Sequence, residues 1–159
     1  MLNIFRDTFQ VMSPVNGNIV NLTNVPDRMF SEEIVGKGIA VDPLEDIIRS
    51  PIDGKIKLIF DTNHAFVVTS KKGIELLVHI GIDTIELNGE GFKRLVKEGD
   101  FVKTGDPIIK INRQEIVNKG YKLTTLVVIT NLENVKDVIC TRDTCVFGSK
   151  NFIMTYKIK

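Results

Sequence analysis

The stretch Phe60-Asp61-Thr62-Asn63-His64-Ala65-Phe66-Val67-Val68-Thr69-Ser70-Lys71-Lys72-Gly73-Ile74-Glu75-Leu76-Leu77-Val78-His79-Ile80-Gly81 decides how this chain is read. Two short apolar runs, Ala65 to Thr69 and Ile74 to Ile80, flank the turn formers Lys71-Lys72-Gly73, which is the pattern of a β-hairpin. Folding Ala65–Thr69 against Ile74–Val78 about that turn brings His64 and His79 together at the open end of the hairpin. These are the only two histidines in the chain.

The same grammar extends in both directions. Gly17 to Leu22, Gly54 to Phe60, Pro107 to Ile111, Leu123 to Thr130 and Phe152 to Ile158 also read as strands. Between them lie Pro14-Val15-Asn16-Gly17, Pro51-Ile52-Asp53-Gly54 and Thr104-Gly105-Asp106-Pro107, all rich in turn formers. Helix is confined to short pieces, Pro26 to Glu33 and Arg113 to Asn118. Many short strands at this spacing predict an all-β protein, an antiparallel β-sandwich or barrel-like single domain with a few short helical turns. Ser13-Pro14-Val15-Asn16-Gly17-Asn18-Ile19-Val20 recurs as Ser50-Pro51-Ile52-Asp53-Gly54-Lys55-Ile56-Lys57, an echo that fits two related halves of one domain and is too short for a solenoid.

A chain of 159 residues suits one domain with a substantial core. No apolar run approaches the roughly 18 residues a spanning helix needs. Lys and Arg number 21 against 20 Asp and Glu, a net charge of +1, so no general attraction to nucleic acid or lipid is expected. Met1 to Val11 lacks the features of a secretory signal, which points to a cytoplasmic protein. Leu2, Phe5 and Phe9 could share one helical face that rests on a membrane, but few cations line the other face, and a tail or edge strand over the core is the preferred reading. The start at Met1 and the single-domain length read as those of a free-standing protein. Cys140 and Cys145 have no histidine near them; a disulfide is the alternative, but without an export signal reduced, inert thiols are the preferred reading.

The chemistry therefore concentrates at the histidines. Neutral imidazole is a competent nucleophile near pH 7, and its ring nitrogen can accept a phosphoryl group reversibly. A second imidazole beside it would stabilise the phosphoryl oxygens during transfer. Gly81 allows close backbone approach, and a carbonyl there can fix the tautomer of His79, while Thr62 is placed to hydrogen-bond within the pair. The plain alternative, in which each histidine is a hydrogen-bonded core residue, stays open at this point. Asp83 and Glu86 would repel a phosphoryl group on contact, so they read as docking contacts for a basic partner, as extra metal ligands or as solvated turn residues. There is no Walker loop, no dinucleotide fingerprint and no serine in a nucleophile elbow, and no long helix follows Gly89-Glu90-Gly91.

At these residues the chain resembles the glucose-class enzyme IIA family of the phosphoenolpyruvate-dependent sugar phosphotransferase system. The resemblance is carried by Ile34-Val35-Gly36-Lys37-Gly38-Ile39-Ala40, Thr62-Asn63-His64-Ala65-Phe66, Val78-His79-Ile80-Gly81-Ile82-Asp83-Thr84 and Glu86-Leu87-Asn88-Gly89-Glu90-Gly91-Phe92, and by the spacing of the histidines. It runs from about Ser13 to the C-terminus, which makes 13–159 the enzyme IIA domain and 1–12 an N-terminal tail or edge segment. It implies a phosphotransferase component with a phosphohistidine intermediate. His79 would carry the phosphoryl group on Nε2, with the Gly81 carbonyl orienting the ring, His64 helping the transfer and Thr62 hydrogen-bonded in the site. The donor would be the phosphocarrier HPr and the acceptor a cysteine on the IIB domain of a sugar permease, with regulatory partners besides. Nucleic acid is not a partner, and the membrane is met only through the permease.

The resemblance further implies a partner-binding face made of Phe30, Val35, Phe60, Phe66, Leu77 and Ile80, with Asp83 and Glu86 near it; the alternative for the apolar positions is ordinary core. Leu77 and Ile80 stand where the family often has an aromatic residue, a difference that bears on partner choice. No cofactor is required, although a regulatory zinc can bind between His64 and His79 in this family when a partner adds a ligand. The sugar is not identified, because specificity resides in the permease. Two competing readings are a zinc hydrolase and a regulatory module without turnover. The first lacks HxH, HExxH and a third histidine. The second is compatible with a carrier, since phosphorylation changes the charge of a docking face.

Overall fold

Alternation between apolar residues and turn formers produces fourteen strands in the computed structural model, which describes residues 7–159 apart from the side chain of Ser149. They are β1 (Thr8–Met12), β2 (Asn16–Val20), β3 (Lys37–Pro43), β4 (Ile47–Arg49), β5 (Gly54–Ile59), β6 (Ala65–Thr69), β7 (Glu75–Ile80), β8 (Phe92–Arg94), β9 (Phe101–Val102), β10 (Pro107–Ile111), β11 (Thr125–Ile129), β12 (Val135–Cys140), β13 (Cys145–Phe147) and β14 (Phe152–Ile158). Among the described residues there are also two short α-helices, α1 (Arg28–Ser31) and α2 (Arg113–Asn118), and short 3₁₀ turns at Leu22–Asn24, Thr84–Leu87, Leu132–Asn134 and Gly148–Lys150. One layer is an eight-stranded antiparallel sheet of order β13-β2-β3-β11-β7-β6-β5-β9. The other consists of two three-stranded sheets, β1-β14-β12 and β4-β10-β8. The protein is an antiparallel β-sandwich.

The sequence echo corresponds to a pairing in space. The Met12 N–H donates to the Pro51 carbonyl at 2.9 Å, and the equivalent Arg49 N–H donates to the Pro14 carbonyl at 2.8 Å. Ser13 and Ser50 are both fully buried, and each hydroxyl donates to the carbonyl two residues on, at 2.6 and 2.7 Å. Each echo glycine lies on a neighbouring strand, so that a Cβ at Gly17 would meet Asp42 O at 2.1 Å and one at Gly54 would meet Thr69 O at 2.3 Å. The large sheet is symmetric about its middle in the same sense: β11-β3-β2-β13 runs one way and β7-β6-β5-β9 the other.

Ala65–Thr69, Pro107–Ile111 and Phe152–Ile158 form strands as expected, whereas Gly17–Leu22 ends at Val20 because Asn21 caps a 3₁₀ turn over Leu22–Asn24. The central strand β3 has no period-two signature. Ile39 and Val41 pack into the main core while Ala40 between them packs on the opposite face, so the run is buried on both sides. The helix expected over Pro26–Glu33 shrinks to Arg28–Ser31. Asp27 Oδ1 accepts from Met29 N at its start, and Glu33, at φ +55°, ends it. Leu2 and Phe5 lie outside the described residues. Phe9 belongs to edge strand β1, where its ring stacks on Tyr156 at 5.4 Å. Among the described residues no helix is long and apolar enough to cross a membrane.

The main core fills the space between the layers, with Phe66, Val68, Leu76, Val78 and Ile80 of the large sheet meeting Ile48, Ile108, Ile109 and Ile111. A smaller cluster covers the outer face of the large sheet. It contains Phe30, Ala40, Ala65, Leu77, Leu126 and Val128, with Val35, Phe60 and Val67 packed at its border. The histidines belong to that outer face.

Candidate functional site

The β6–β7 hairpin sets the site. Its register pairs Ala65 with His79 and Thr69 with Glu75, so the turn closes one end and the histidines mark the other. Strict alternation from Ala65 would aim His64 into the core. The turn before it prevents this: the Asn63 N–H donates to the Phe60 carbonyl at 2.7 Å, and Asn63 adopts φ +59°. The His64 ring lies instead against His79, with centroids 4.9 Å apart and planes at 86°. Phe60 packs edge-on to His64 at 5.3 Å, and Phe30, delivered by α1, lies 5.1 Å from His79.

Each ring is tied through Nδ1. His79 Nδ1 is 2.9 Å from the Gly81 carbonyl, which can only accept, so the proton is on Nδ1 and Nε2 carries the lone pair. Gly81 is at φ +84°, and a Cβ there would lie 2.4 Å from Thr84 Cγ2 and 2.8 Å from Lys122 O, so only glycine can present this carbonyl. The Thr62 hydroxyl lies 2.5 Å from His64 Nδ1. Both imidazoles are held below the ordinary histidine pKa. Burial is the main cause for His64, which is 2% exposed, and the neighbouring His79 adds to it, bringing the value to about 4. Burial also lowers His79, opposed in part by the Gly81 carbonyl and by the charges of Asp27 and Asp83. At neutral pH the site presents two uncharged rings.

The residues singled out in the sequence separate into two groups. Thr62, His64, His79 and Gly81 come together, and Phe30, Val35, Phe60 and Leu77 belong to the apolar cluster on their face. Phe66 and Ile80 do not. Both are 0% exposed and point into the main core, since each is one position out of phase with Ala65 and His79, and a docking protein cannot reach them. Asp83 is exposed and begins the 3₁₀ turn Thr84–Leu87 at φ +59°; Glu86 is exposed and accepts from the Tyr121 hydroxyl at 3.0 Å.

Three residues on this side were not anticipated. Val67 follows from counting back in twos from Thr69, a signal that was available. Asp27 reaches His79 electrostatically across more than 50 positions of chain, and no local pattern announces it. Ile34, 59% exposed, adjoins Val35 and adds to the accessible apolar surface. Among the described residues no group of three or more His, Cys, Asp or Glu is placed to hold a metal ion.

Residues 9–135 match the family described as phosphoenolpyruvate-dependent sugar phosphotransferase system, EIIA 1. The chain is 45% identical over 130 residues to the PTS system glucose-specific EIIA component of Haemophilus influenzae, covering 82% of this chain and 78% of that one. It is 40% identical over 160 residues to the protein of the same name from Buchnera aphidicola subsp. Acyrthosiphon pisum, covering 98% and 99%. Among solved structures it resembles glucose permease IIA from Mycoplasma capricolum, with a TM-score of 0.88, 29% identity and coverage of 95% of this chain and 97% of that one.

Proposed function

Because the chain belongs to the EIIA 1 family of the phosphoenolpyruvate-dependent sugar phosphotransferase system, we propose that it takes a phosphoryl group from phosphorylated HPr onto Nε2 of His79 and hands it to a cysteine on the IIB domain of a glucose-class sugar permease. The observation that carries this reading is the pair of edge-to-face imidazoles 4.9 Å apart, with the Nδ1 of His79 committed to the Gly81 carbonyl.

In the first step the Nε2 lone pair of His79 attacks phosphorus, the N–P bond of the donor's phosphohistidine breaks, and the donor imidazole leaves with the bonding pair. His79 is a good acceptor because burial keeps it neutral and the proton on Nδ1 leaves Nε2 free. In the second step a thiolate of the acceptor attacks the same phosphorus, and His79 recovers its lone pair. A Thr62 hydroxyl donating to Nδ1 of His64 leaves the His64 proton on Nε2, from which it can stabilise the phosphoryl oxygens as charge shifts. No proton needs to be gained or lost by the pair over the full cycle.

The part-exposed apolar residues Val35, Phe60 and Val67, backed by the buried Phe30 and Leu77, would seat both partners in turn, with Asp83 and Glu86 available to a basic rim. A phosphoryl group placed in the middle of that surface changes its charge, so regulatory partners would read the phosphorylation state. The protein works in the cytoplasm on this reading. Transfer requires no metal. His64 and His79 could supply two ligands to a zinc ion completed by another protein, where the ion would cross-link the two surfaces.

Incubation with phosphoenolpyruvate, enzyme I and HPr, followed by peptide mapping, should place an acid-labile phosphoryl group on His79. Normal uptake of label from phosphorylated HPr by His79→Gln would refute the assignment.

A further inference from the structure

The turn that carries His64 is held from the opposite layer of the sandwich. Arg94, the last residue of β8, donates from Nε to Asn63 Oδ1 at 2.7 Å and from Nη2 to the Phe60 carbonyl at 3.3 Å. Its own strand is anchored, since Arg94 lies opposite Ile109 of β10 and Phe92 is buried in the main core. The two points gripped by the guanidinium bracket Thr62, whose hydroxyl meets His64 Nδ1. Immediately beyond, the Phe60 N–H donates to the Ala65 carbonyl at 3.0 Å and closes the loop around the histidine.

The turn has a backbone bond of its own, from the Asn63 N–H to the Phe60 carbonyl, and the guanidinium adds a side-chain hold to both of its ends. Asn63 occupies φ +59°, a left-handed conformation that asparagine tolerates better than most residues, and its side-chain oxygen is the group Arg94 engages. A planar two-pronged donor selects one arrangement of Asn63 Oδ1 and the Phe60 carbonyl together; an ammonium group fixes no such geometry. The His64 ring direction is set by this turn and by Thr62, so a group that grips both ends of the turn bears on both.

We propose that Arg94 is a positioning residue for phosphoryl hand-over, locking the Phe60–Asn63 turn so that Thr62 and the His64 imidazole stand in register beside His79. The proposal rests on the hand-over role given to His64 above. Arg94 acts through the turn and does not touch the phosphoryl group. Its exposure means that the fold does not depend on it, and the Arg94→Gln and Arg94→Lys variants should both remain folded.

The test compares wild type, Arg94→Gln, Arg94→Lys, His64→Ala and the Arg94→Gln/His64→Ala double variant. For Arg94→Gln the kcat of transfer to the acceptor cysteine should fall about 10-fold, with the acceptor KM unchanged, as expected for a misplaced catalytic group. Arg94→Lys should recover little of that loss. In the free protein, with no partner present, the His64 ring nitrogen signals should shift in both variants. The double variant should be no slower than His64→Ala alone, because the route has already been removed. A wild-type kcat in Arg94→Gln would overturn the proposal. So would a raised KM with unchanged His64 signals, which would make Arg94 a partner contact, or a further slowing in the double variant. If His64→Ala itself hands over at the wild-type rate, the role of His64 has failed and the proposal falls with it, an outcome distinguishable from failure of the clamp alone.

Discussion

Strands β6 and β7 have two faces that share a backbone and differ in everything built on it. On one, Phe66, Val68, Leu76, Val78 and Ile80 are sealed in the main core. On the other, Ala65, Val67 and Leu77 join Phe30, Val35 and Phe60 around the two imidazoles. Both faces are apolar, so hydropathy does not tell them apart. What separates them is their cover: two three-stranded sheets lie over the first, and only the four-residue helix α1 and short turns lie over the second. The sealed face makes the protein stable, and the lightly covered one leaves His79 half-buried beside a His64 that is itself almost covered.

The sharpest way to break this contrast is His79→Gln. It should abolish acceptance of phosphate from phosphorylated HPr while the thermal unfolding midpoint stays near wild type. Loss of the fold instead would mean that the histidine face is structural. The opposite result is expected from Phe66→Ala, at one position along from Ala65. Truncating a fully buried phenylalanine costs about 3–5 kcal/mol, measurable by urea denaturation, and the protein that remains folded should accept phosphate normally. A loss below about 1 kcal/mol would show that the core face is not closed.

Within the histidine face the two rings should also differ. His64→Ala is expected to slow hand-over to the IIB cysteine by about 100- to 1,000-fold, as removal of a transition-state donor does, and to affect loading of His79 far less. Rapid-quench transfer kinetics would show this, and equal slowing of both steps would erase the distinction between the two histidines. At the border of the face, Val35→Asp should weaken docking of HPr by about 10-fold with little change in stability. Titration by heteronuclear NMR measures it, and unchanged affinity would remove Val35 from the docking surface.

The smallest effect concerns pH. An unfolded histidine titrates near 6.5, whereas His64 in the fold titrates near 4. Between those values the unfolded chain binds more protons, so stability falls as pH drops through that window and is unaffected by this group above it. Wild type should therefore lose more stability between pH 7 and pH 5 than His64→Gln does. Equal losses in the two proteins would show that the imidazole is not held neutral by its surroundings.

Much of this was legible in the residues. The strands β6, β10 and β14 were readable because Gly, Pro, Ser or Asx residues lead into them. The hairpin and the meeting of His64 and His79 followed from Lys71-Lys72-Gly73, but the register differs by one residue from the expected one: Ala65–Thr69 pairs with Glu75–His79 and not with Ile74–Val78, because Ser70 and Ile74 also belong to the turn, where the Ser70 N–H donates to the Ile74 carbonyl. The buried central strand β3 was not readable, because a run covered on both faces loses its period, nor were the two- and three-residue strands β4, β8, β9 and β13, which are too short for any period. Phe66 and Ile80 were misplaced for a related reason. In a hairpin whose two faces are both apolar, composition does not say which phase is outside, and the resemblance to a family marked a neighbourhood more readily than a direction.

The sequence by itself determined that the two histidines stand on one hairpin and that the chain is an antiparallel β-protein with an internal echo. These properties are local, or nearly so, and local chemistry is written residue by residue. Only the tertiary structure decided which side of the hairpin is open, that a left-handed Asn63 turns His64 out of strand phase, and that Asp27 and Arg94 arrive from distant elements to surround the pair. Those outcomes depend on which layers cover which face, and that is a property of the assembled sandwich that no single segment carries.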